Sequence, residues 1–242
     1  MRSARTFELA SCLILLAGCA HATLRPTSPE SRFERAMRDA ERADADEIRT
    51  DLVVLATRTP GLVTRESESG PDVLVATWTD GRYYPEAHGT PKTLGHDHVW
   101  VTTAPEIRVA CSAAARGEQT PRERLREFLG LRPETDHPHI VEFWVPISAM
   151  VRPCPDPAVT DSSCRLGEPD TRPLGPTADY AQWFEELEAR SYLPNGYPWT
   201  RLGYTYDWGE GRDERGASEF LVPVGVTVTI EAVTPVDDYC GP

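Results

Sequence analysis

The chain has 242 residues and a strong excess of acid, because 38 Asp and Glu against 25 Lys and Arg leave a formal net charge of −13 at neutral pH. Such a surface repels phosphates and anionic headgroups, and no basic patch interleaved with aromatic residues occurs, so nucleic acid is excluded as a partner. Hydrophobic residues at 40% and six tryptophans are enough to build the core of one domain.

Residues 1–18 have the pattern of a secretory signal. Arg2 and Arg5 supply positive charge, and residues 9–17 form an apolar run. This run is too short to cross a bilayer as a helix, which needs about 20 apolar residues, but it suits the apolar region of a signal peptide. We expect this segment to be removed on export.

The segment ends in Leu16-Ala17-Gly18-Cys19, which resembles the lipobox of bacterial lipoproteins. The resemblance implies cleavage before Cys19, acylation of its thiol and stable membrane anchoring by the acyl chains. An aspartate after the cysteine tends to keep lipoproteins at the inner membrane, so Ala20 implies the outer membrane. The alternative is a plain secretory signal with an incidental cysteine, and Glu8, just before the apolar run, departs from the lipobox pattern.

The cysteine count predicts two disulfides. Of the six cysteines, one lies in the signal and Cys19 takes the lipid, so four remain, and they allow three pairings. Turn-forming residues between Cys154 and Cys164 favour that pair, which leaves Cys111 with Cys240. The rival interpretation, a metal site of four thiolates, lacks a C-x-x-C pair.

Residues 19–50 are expected to form an acylated tether that turns into an exposed helix. Their large apolar residues are too sparse for a full core-facing stripe. A coiled-coil or partner-binding helix is disfavoured, because no heptad pattern is sustained. The globular domain is expected to span residues 51–242.

Short runs rich in β-branched residues predict the first strands of this domain. They cover residues 52–57, 73–79, 99–103 and 140–147. Proline- and glycine-containing turns separate the first three.

Helices are predicted at residues 105–111, from Thr120, and at residues 179–189. Thr120 and Glu123 have the spacing of a capping box. A proline-rich loop is expected at residues 152–176.

The C-terminal part has the strongest strand pattern. Within residues 200–208 one side is aromatic and apolar and is predicted to face the core: Leu202, Tyr204, Tyr206 and Trp208. Residues 220–222 and 226–230 flank a break of hairpin size. The strands come in adjacent groups, which predicts an α+β fold with a mainly antiparallel sheet, a few short helices and disulfide staples. Residues 195–220 resemble, weakly, bacterial proteins of no assigned activity.

Two H-x-H pairs are candidate metal ligands: His96 with His98, and His137 with His139. Residues two apart on a strand point to the same side, so each pair suits zinc or copper. Each pair precedes a predicted strand, and a four-nitrogen site would form if those strands were neighbours. Against this, Pro138 bends its pair away from strand geometry. No other cofactor is expected.

The sequence favours a protein that is not an enzyme. No G-x-S-x-G, S-x-x-K, H-E-x-x-H or phosphate-binding loop occurs, and 38 acids leave too many combinations to select a catalytic pair.

Tyr197 and Trp199 are the candidate binding residues, because they lie in a loop and fall outside the aromatic side of the following strand. Such rings stack on sugars or on partner side chains. We therefore expect a binding or structural module of the cell envelope, held at the membrane by its lipid, with an envelope polymer or a protein as partner. The alternative is a metal-binding protein or metal-dependent enzyme that uses the two histidine pairs.

Overall fold

The computed structural model describes residues 29–175, 178–211 and 213–241. The signal segment and Cys19 lie outside these residues. None of the described helices has the length and apolar character that crossing a membrane requires.

The described residues form five α-helices: α1 (Pro29–Ala40), α2 (Ala104–Ala114), α3 (Pro121–Phe128), α4 (Tyr180–Ser191) and α5 (Val236–Tyr239). Of these, α3 and α4 begin at a capping side chain. Before α3, the predicted capping box forms: the N–H of Glu123 donates to the Thr120 hydroxyl, and the N–H of Thr120 donates to the Glu123 carboxylate at 2.9 Å. Asp179 caps α4 by accepting the N–H of Gln182 at 3.1 Å.

One antiparallel sheet organises the fold. The strands are β1 (Thr64–Ser67), β2 (Gly70–Thr79), β3 (Pro91–Thr93), β4 (Val99–Thr103), β5 (His139–Pro146), β6 (Pro173–Leu174), β7 (Ala178–Asp179), β8 (Tyr204–Asp207), β9 (Glu214–Ser218), β10 (Phe220–Val222) and β11 (Thr227–Pro235). The main sheet has the order β10-β4-β2-β5-β11-β3, and β1 pairs with the start of β2. Two small antiparallel pairs, β6 with β7 and β8 with β9, lie outside it. The predicted α+β fold is therefore confirmed.

The two faces of the main sheet carry different layers, because side chains alternate along each strand. Val75, Phe143 and Ile230 lie on the first face, in the largest apolar cluster. Ala76 and Ile140 lie on the second face, under α2, α3 and α5. Towards β10 the same face is covered by α4. The second face thus carries two separate helical layers, and the space between them forms a cavity.

Helix α1 packs on the domain instead of standing exposed. Ala36 is 2% exposed and Ala40 is 4% exposed, and both pack with Tyr206 and Trp208. The ring of Phe33 meets that of Trp208 edge-on, with 5.9 Å between centroids. The small side chains of the two alanines allow α1 to approach the domain closely. A prediction based on large apolar residues does not detect such a contact. The folded unit therefore includes residues from Pro29 onward and does not begin at Asp51.

Two predicted strand features are wrong in detail. Residues 52–57 form no strand; the N–H groups of Leu52 and Leu55 donate instead to Ser162 and Val159 in the disulfide loop, at 3.0 and 2.7 Å. The segments at 220–222 and 226–230 do not form a hairpin with each other. Strand β10 pairs with β4, whereas β11 pairs with β5 and β3. In both cases the backbone hydrogen bonds of the segment go to residues far away in the sequence.

Both predicted disulfides are confirmed. Cys111 pairs with Cys240 across 5.2 Å between Cα atoms and joins α2 to α5. Cys154 pairs with Cys164 across 6.3 Å and closes the proline-rich loop.

A buried arginine holds that loop against the domain. Arg152 is 0% exposed, and its guanidinium donates to the carbonyl oxygens of Val53 at 2.9 Å, Asp161 at 3.1 Å and Ala158 at 3.2 Å. Burial lowers the pKa of Arg152 to about 10, so the side chain stays charged at neutral pH. Three backbone carbonyls thus take the place of a carboxylate partner.

Candidate ligand cavity

A cavity of about 820 Å³ lies between the second face of the sheet and the chain that follows α4. Ala76, Trp78, Trp100 and Thr102 form its floor, because alternate residues of the adjacent strands β2 and β4 face the same side. Leu129 to Leu131, after α3, form one wall, and residues 190–199 form the other. Tyr206 and Glu219 complete the lining.

The loop after α4 folds back tightly, which places its aromatic residues at the cavity. The N–H of Tyr197 donates to the Ser191 carbonyl oxygen at 2.8 Å. A Cβ atom at Gly196 would lie 1.7 Å from that same oxygen, so only glycine fits this turn. The Tyr192 hydroxyl donates to the Trp199 carbonyl oxygen at 2.7 Å. These contacts hold the exposed Tyr197 at the rim and turn Trp199 inward.

Trp199 is buried, so the prediction of a surface residue is wrong for it. Its side chain is 6% exposed, and its ring lies 4.8 Å from Phe184 and 6.2 Å from Trp100 between centroids. The expected alternation fails because Arg201 and Gly203 both have positive φ, at 60° and 80°, and turn the chain before β8 begins. Tyr197, in contrast, is 46% exposed, as predicted for a contact residue. The two rings thus contribute to one cavity, from its inside and from its rim.

Among the described residues that line this cavity, Glu219 is the one acid. Its side chain is partly exposed, whereas its Oε2 atom is buried and has no hydrogen-bond partner. The indole Nε1 of Trp199 is also buried and unpartnered. Burial raises the pKa of Glu219 to about 8. The nearby indole N–H of Trp199 lowers this pKa by a smaller amount, and it does not reach hydrogen-bond geometry with the Glu219 carboxyl group. At neutral pH the carboxyl group is therefore mainly protonated.

Two other acids of the domain, Glu106 and Glu142, have their hydrogen-bond partners. Glu106 accepts hydrogen bonds from the hydroxyls of Thr102 and Thr103, at 3.1 and 2.7 Å, and from the N–H of Ser218 at 3.0 Å. It lines a second cavity of about 730 Å³, where this carboxylate already has its partners. Glu142 likewise accepts from Arg108 and from the Tyr239 hydroxyl. Glu219 differs from both because burial is not matched by hydrogen bonds.

The structure does not bring the four predicted metal-ligating histidines together. Strand β2 lies between β4 and β5, so the two strands that the H-x-H pairs precede are not neighbours. The Nδ1 atom of His98 accepts the N–H of Val224 at 3.1 Å, and that of His139 lies 2.9 Å from the Asp80 carbonyl oxygen. His96 is exposed, and His137 packs edge-on against Trp78. The proposed four-nitrogen site is therefore not formed.

In the described ranges, a group of three acids has ligand atoms within 4.8 Å of one another: Asp39, Glu47 and Glu214. Asp39 and Glu214 are exposed, and Glu47 is engaged by the N–H of Asp44 at 2.7 Å. Nothing else at this surface points to a bound ion, because Asp39 accepts the Tyr206 hydroxyl and Glu47 caps its own helical turn. The cavity is therefore the better candidate site.

Comparison with known proteins adds no relative, since no family model, no curated protein and no solved structure matches the chain. The chemistry of the cavity is accordingly the basis for a function.

Proposed function

We propose that this protein is an exported, lipid-anchored binding protein that holds a small organic molecule in the cavity between β2, β4 and the loop after α4. The observation that carries the proposal is an aromatic-walled cavity of about 820 Å³ whose one carboxyl group lacks a partner. Ligand sites are typically concave and mostly apolar, with a few polar groups that orient the ligand. This cavity has that composition.

Binding is favoured over catalysis by the groups that line the cavity. Glu219 is its one acid, so the pair of carboxylates that glycoside cleavage uses is not assembled there. Ser191, also in the lining, donates its hydroxyl hydrogen to the Leu187 carbonyl oxygen at 2.8 Å and has no histidine beside it in the lining. A single acid among aromatic rings suits recognition.

The lipid anchor is part of the proposal, and it would keep the cavity close to a membrane. Ten positions separate Cys19 from Pro29, where α1 begins, and they span at most about 35 Å when fully extended. The two disulfides agree with an oxidising compartment outside the cytoplasm. A ligand bound here would come from the envelope, either free or as a group projecting from a polymer.

Detergent phase partitioning tests the anchor. We expect wild-type protein in the detergent phase, and a Cys19→Ser variant in the aqueous phase or as an uncleaved precursor. Unchanged partitioning of the variant would contradict the lipid anchor and leave the cavity proposal intact.

A pair of cavity-filling variants tests the binding site. Ala76 lies on the floor of this cavity, and Ala113 lines the second one. Fluorescence of Trp78, Trp100 and Trp199 reports directly on ligands that enter from a panel of aromatic, aliphatic and amine fragments. We expect Ala76→Leu to weaken binding at least tenfold and Ala113→Leu to leave it unchanged.

A leucine whose side chain did not enter the cavity would overpack its surroundings at a cost of about 1–3 kcal/mol, so native circular dichroism of both variants is required. If no fragment binds the wild-type protein, or if Ala76→Leu binds as tightly as the wild type, the cavity is not the ligand site.

A further inference from the structure

We propose that the cavity is selective for organic cations, with the Glu219 carboxylate as the counter-ion at its inner end and the aromatic rings as the walls of an ammonium site. The inference rests on the proposed function. It assigns a chemical class to the ligand and a role to Glu219.

The first argument is the unpaired carboxyl group. Its Oε2 atom has no partner, and the groups that influence its pKa are burial and the Trp199 indole, with no cation among them. An ionised carboxylate that is buried without a counter-ion is costly, and a bound cation removes that cost. Among the residues that the structure describes, no lysine or arginine contributes to this pKa shift.

The second argument is the character of the walls. Three tryptophans and one tyrosine line the space with their rings, namely Trp78, Trp100, Trp199 and Tyr197, whereas the ring of Tyr206 packs against α1. The faces of aromatic rings are negative, and they attract ammonium and quaternary ammonium groups most strongly where water is excluded. A carboxylate beside such rings favours a cation over a neutral molecule of the same shape.

The charged groups around the site are few. Of the charged and titratable groups near Glu219, Arg190, Tyr197 and Tyr206 line the same cavity, Tyr180 on α4 interacts electrostatically with Glu219, and Glu106 on α2 accepts the N–H of the adjacent Ser218. Helix α4 also carries Glu185, Glu186 and Glu188, which do not line the cavity. Burial raises the pKa of Tyr180 and of Tyr206, so both stay neutral through the range tested below. Glu106 is held by three hydrogen bonds. Arg190 is exposed at the rim, where water and salt screen its charge.

The pH dependence of binding follows from these groups. A cation binds the ionised carboxylate, and the pKa of Glu219 is about 8 in the empty cavity. Affinity therefore rises about tenfold between pH 6 and pH 7, about fivefold between pH 7 and pH 8, and levels off above pH 9. A ligand that instead accepts a hydrogen bond from the protonated acid would show the opposite trend, with affinity falling above pH 8.

Calorimetric titration of the full-length protein with benzyltrimethylammonium and with its neutral isostere, (2,2-dimethylpropyl)benzene, tests the inference. We expect the cation to bind at least tenfold more tightly than the isostere at pH 8 and to lose about 50-fold in affinity between pH 8 and pH 6. The neutral isostere should bind equally at both pH values. Glu219→Gln should abolish the preference for the cation and its pH dependence, whereas Glu185→Gln, an exposed site on α4 with the same change in charge, should preserve both.

The outcomes separate the two proposals. If the neutral isostere binds as tightly as the cation at pH 8, or if affinity for the cation is constant or falls from pH 6 to pH 8, the assignment of organic cations is overturned while the cavity remains a binding site. If neither probe binds and the fragment panel also fails, both proposals are wrong.

Discussion

Replacing Glu219 by glutamine removes the one carboxyl group of the cavity and leaves its shape unchanged. The pKa of Glu219 rises from its ordinary 4.5 to about 8 on folding, because burial disfavours the charged form. Between these values the folded protein holds a proton that the unfolded chain has lost. The contribution of this group to stability is therefore full below pH 4.5 and is lost as the pH rises through 8.

The magnitude follows from the same difference. At about 1.4 kcal/mol for each pH unit, a pKa that moves from 4.5 to about 8 corresponds to about 5 kcal/mol. Glutamine does not titrate, so the variant escapes this loss. We expect Glu219→Gln and wild-type protein to have similar free energies of unfolding at pH 4.5, and the variant to be more stable by about 5 kcal/mol at pH 9.

Urea unfolding followed by tryptophan fluorescence at intervals from pH 4.5 to pH 9, with the disulfides intact, measures this difference. Titration of all other groups is shared by the two proteins and cancels. Glu185→Gln, exposed on α4, serves as the control and should follow the wild type at every pH. If the difference in free energy between Glu219→Gln and wild type stays within about 1 kcal/mol across the range, Glu219 ionises normally and the electrostatic reasoning about the cavity is wrong.

Three further variants test what holds the domain together. Arg152→Met leaves three backbone carbonyl oxygens without their buried donor. Because an unsatisfied buried group costs about 1–3 kcal/mol, the free energy of unfolding should fall by about 3 kcal/mol or more. A loss below about 1 kcal/mol, measured by urea unfolding, would contradict this role of Arg152. Replacing both cysteines of a pair by serine should cost about 5 kcal/mol for Cys111 and Cys240, separated by 129 positions, and about 3 kcal/mol for Cys154 and Cys164, separated by 10, in the chain-entropy model. Equal losses for the two pairs would show that loop length does not set the effect.

Features of the fold that depend on neighbouring residues were predictable. The capping box of Thr120 and Glu123 satisfies backbone groups within one turn, and the turn-rich segment between Cys154 and Cys164 brings its own ends together. Features that depend on distant partners were not. Residues 52–57 have strand composition, yet their hydrogen bonds go to an irregular loop about a hundred positions away. No local pattern identifies that partner.

The candidate site was predictable only in part, for the same reason. Tyr197 and Trp199 were selected from their loop, and both line the cavity, although Trp199 does so from inside. Glu219 was missed, because one acid among 38 carries no signal of its own. Its neighbours Ser218 and Phe220 are both buried, but an acid between two buried residues is the ordinary alternation of a strand with one face in water, so its position gives no signal either.

The cavity persists because the two helical layers beside it are fixed independently. The Cys111–Cys240 disulfide ties α2 to α5 over one half of the second sheet face. Over the other half, the Tyr180 hydroxyl at the start of α4 lies 2.8 Å from the carbonyl oxygens of Arg152 and Cys154 and accepts the N–H of Cys154 at 3.0 Å.

Separation of α2 from α5 would require breaking the disulfide, and movement of the start of α4 would expose the groups that Tyr180 contacts. Protein interiors are otherwise close-packed, and an unfilled apolar space forfeits contacts that a larger side chain would make. Ala76 on the cavity floor is a position where a larger side chain would make such contacts, because a leucine that entered the cavity would bury more apolar surface and reduce the empty space. The fixed helical layers keep the cavity open, and the small residue on its floor and the unpaired carboxyl group lower the stability of the domain there. We infer that a ligand bound in the cavity is the physical reason for this arrangement.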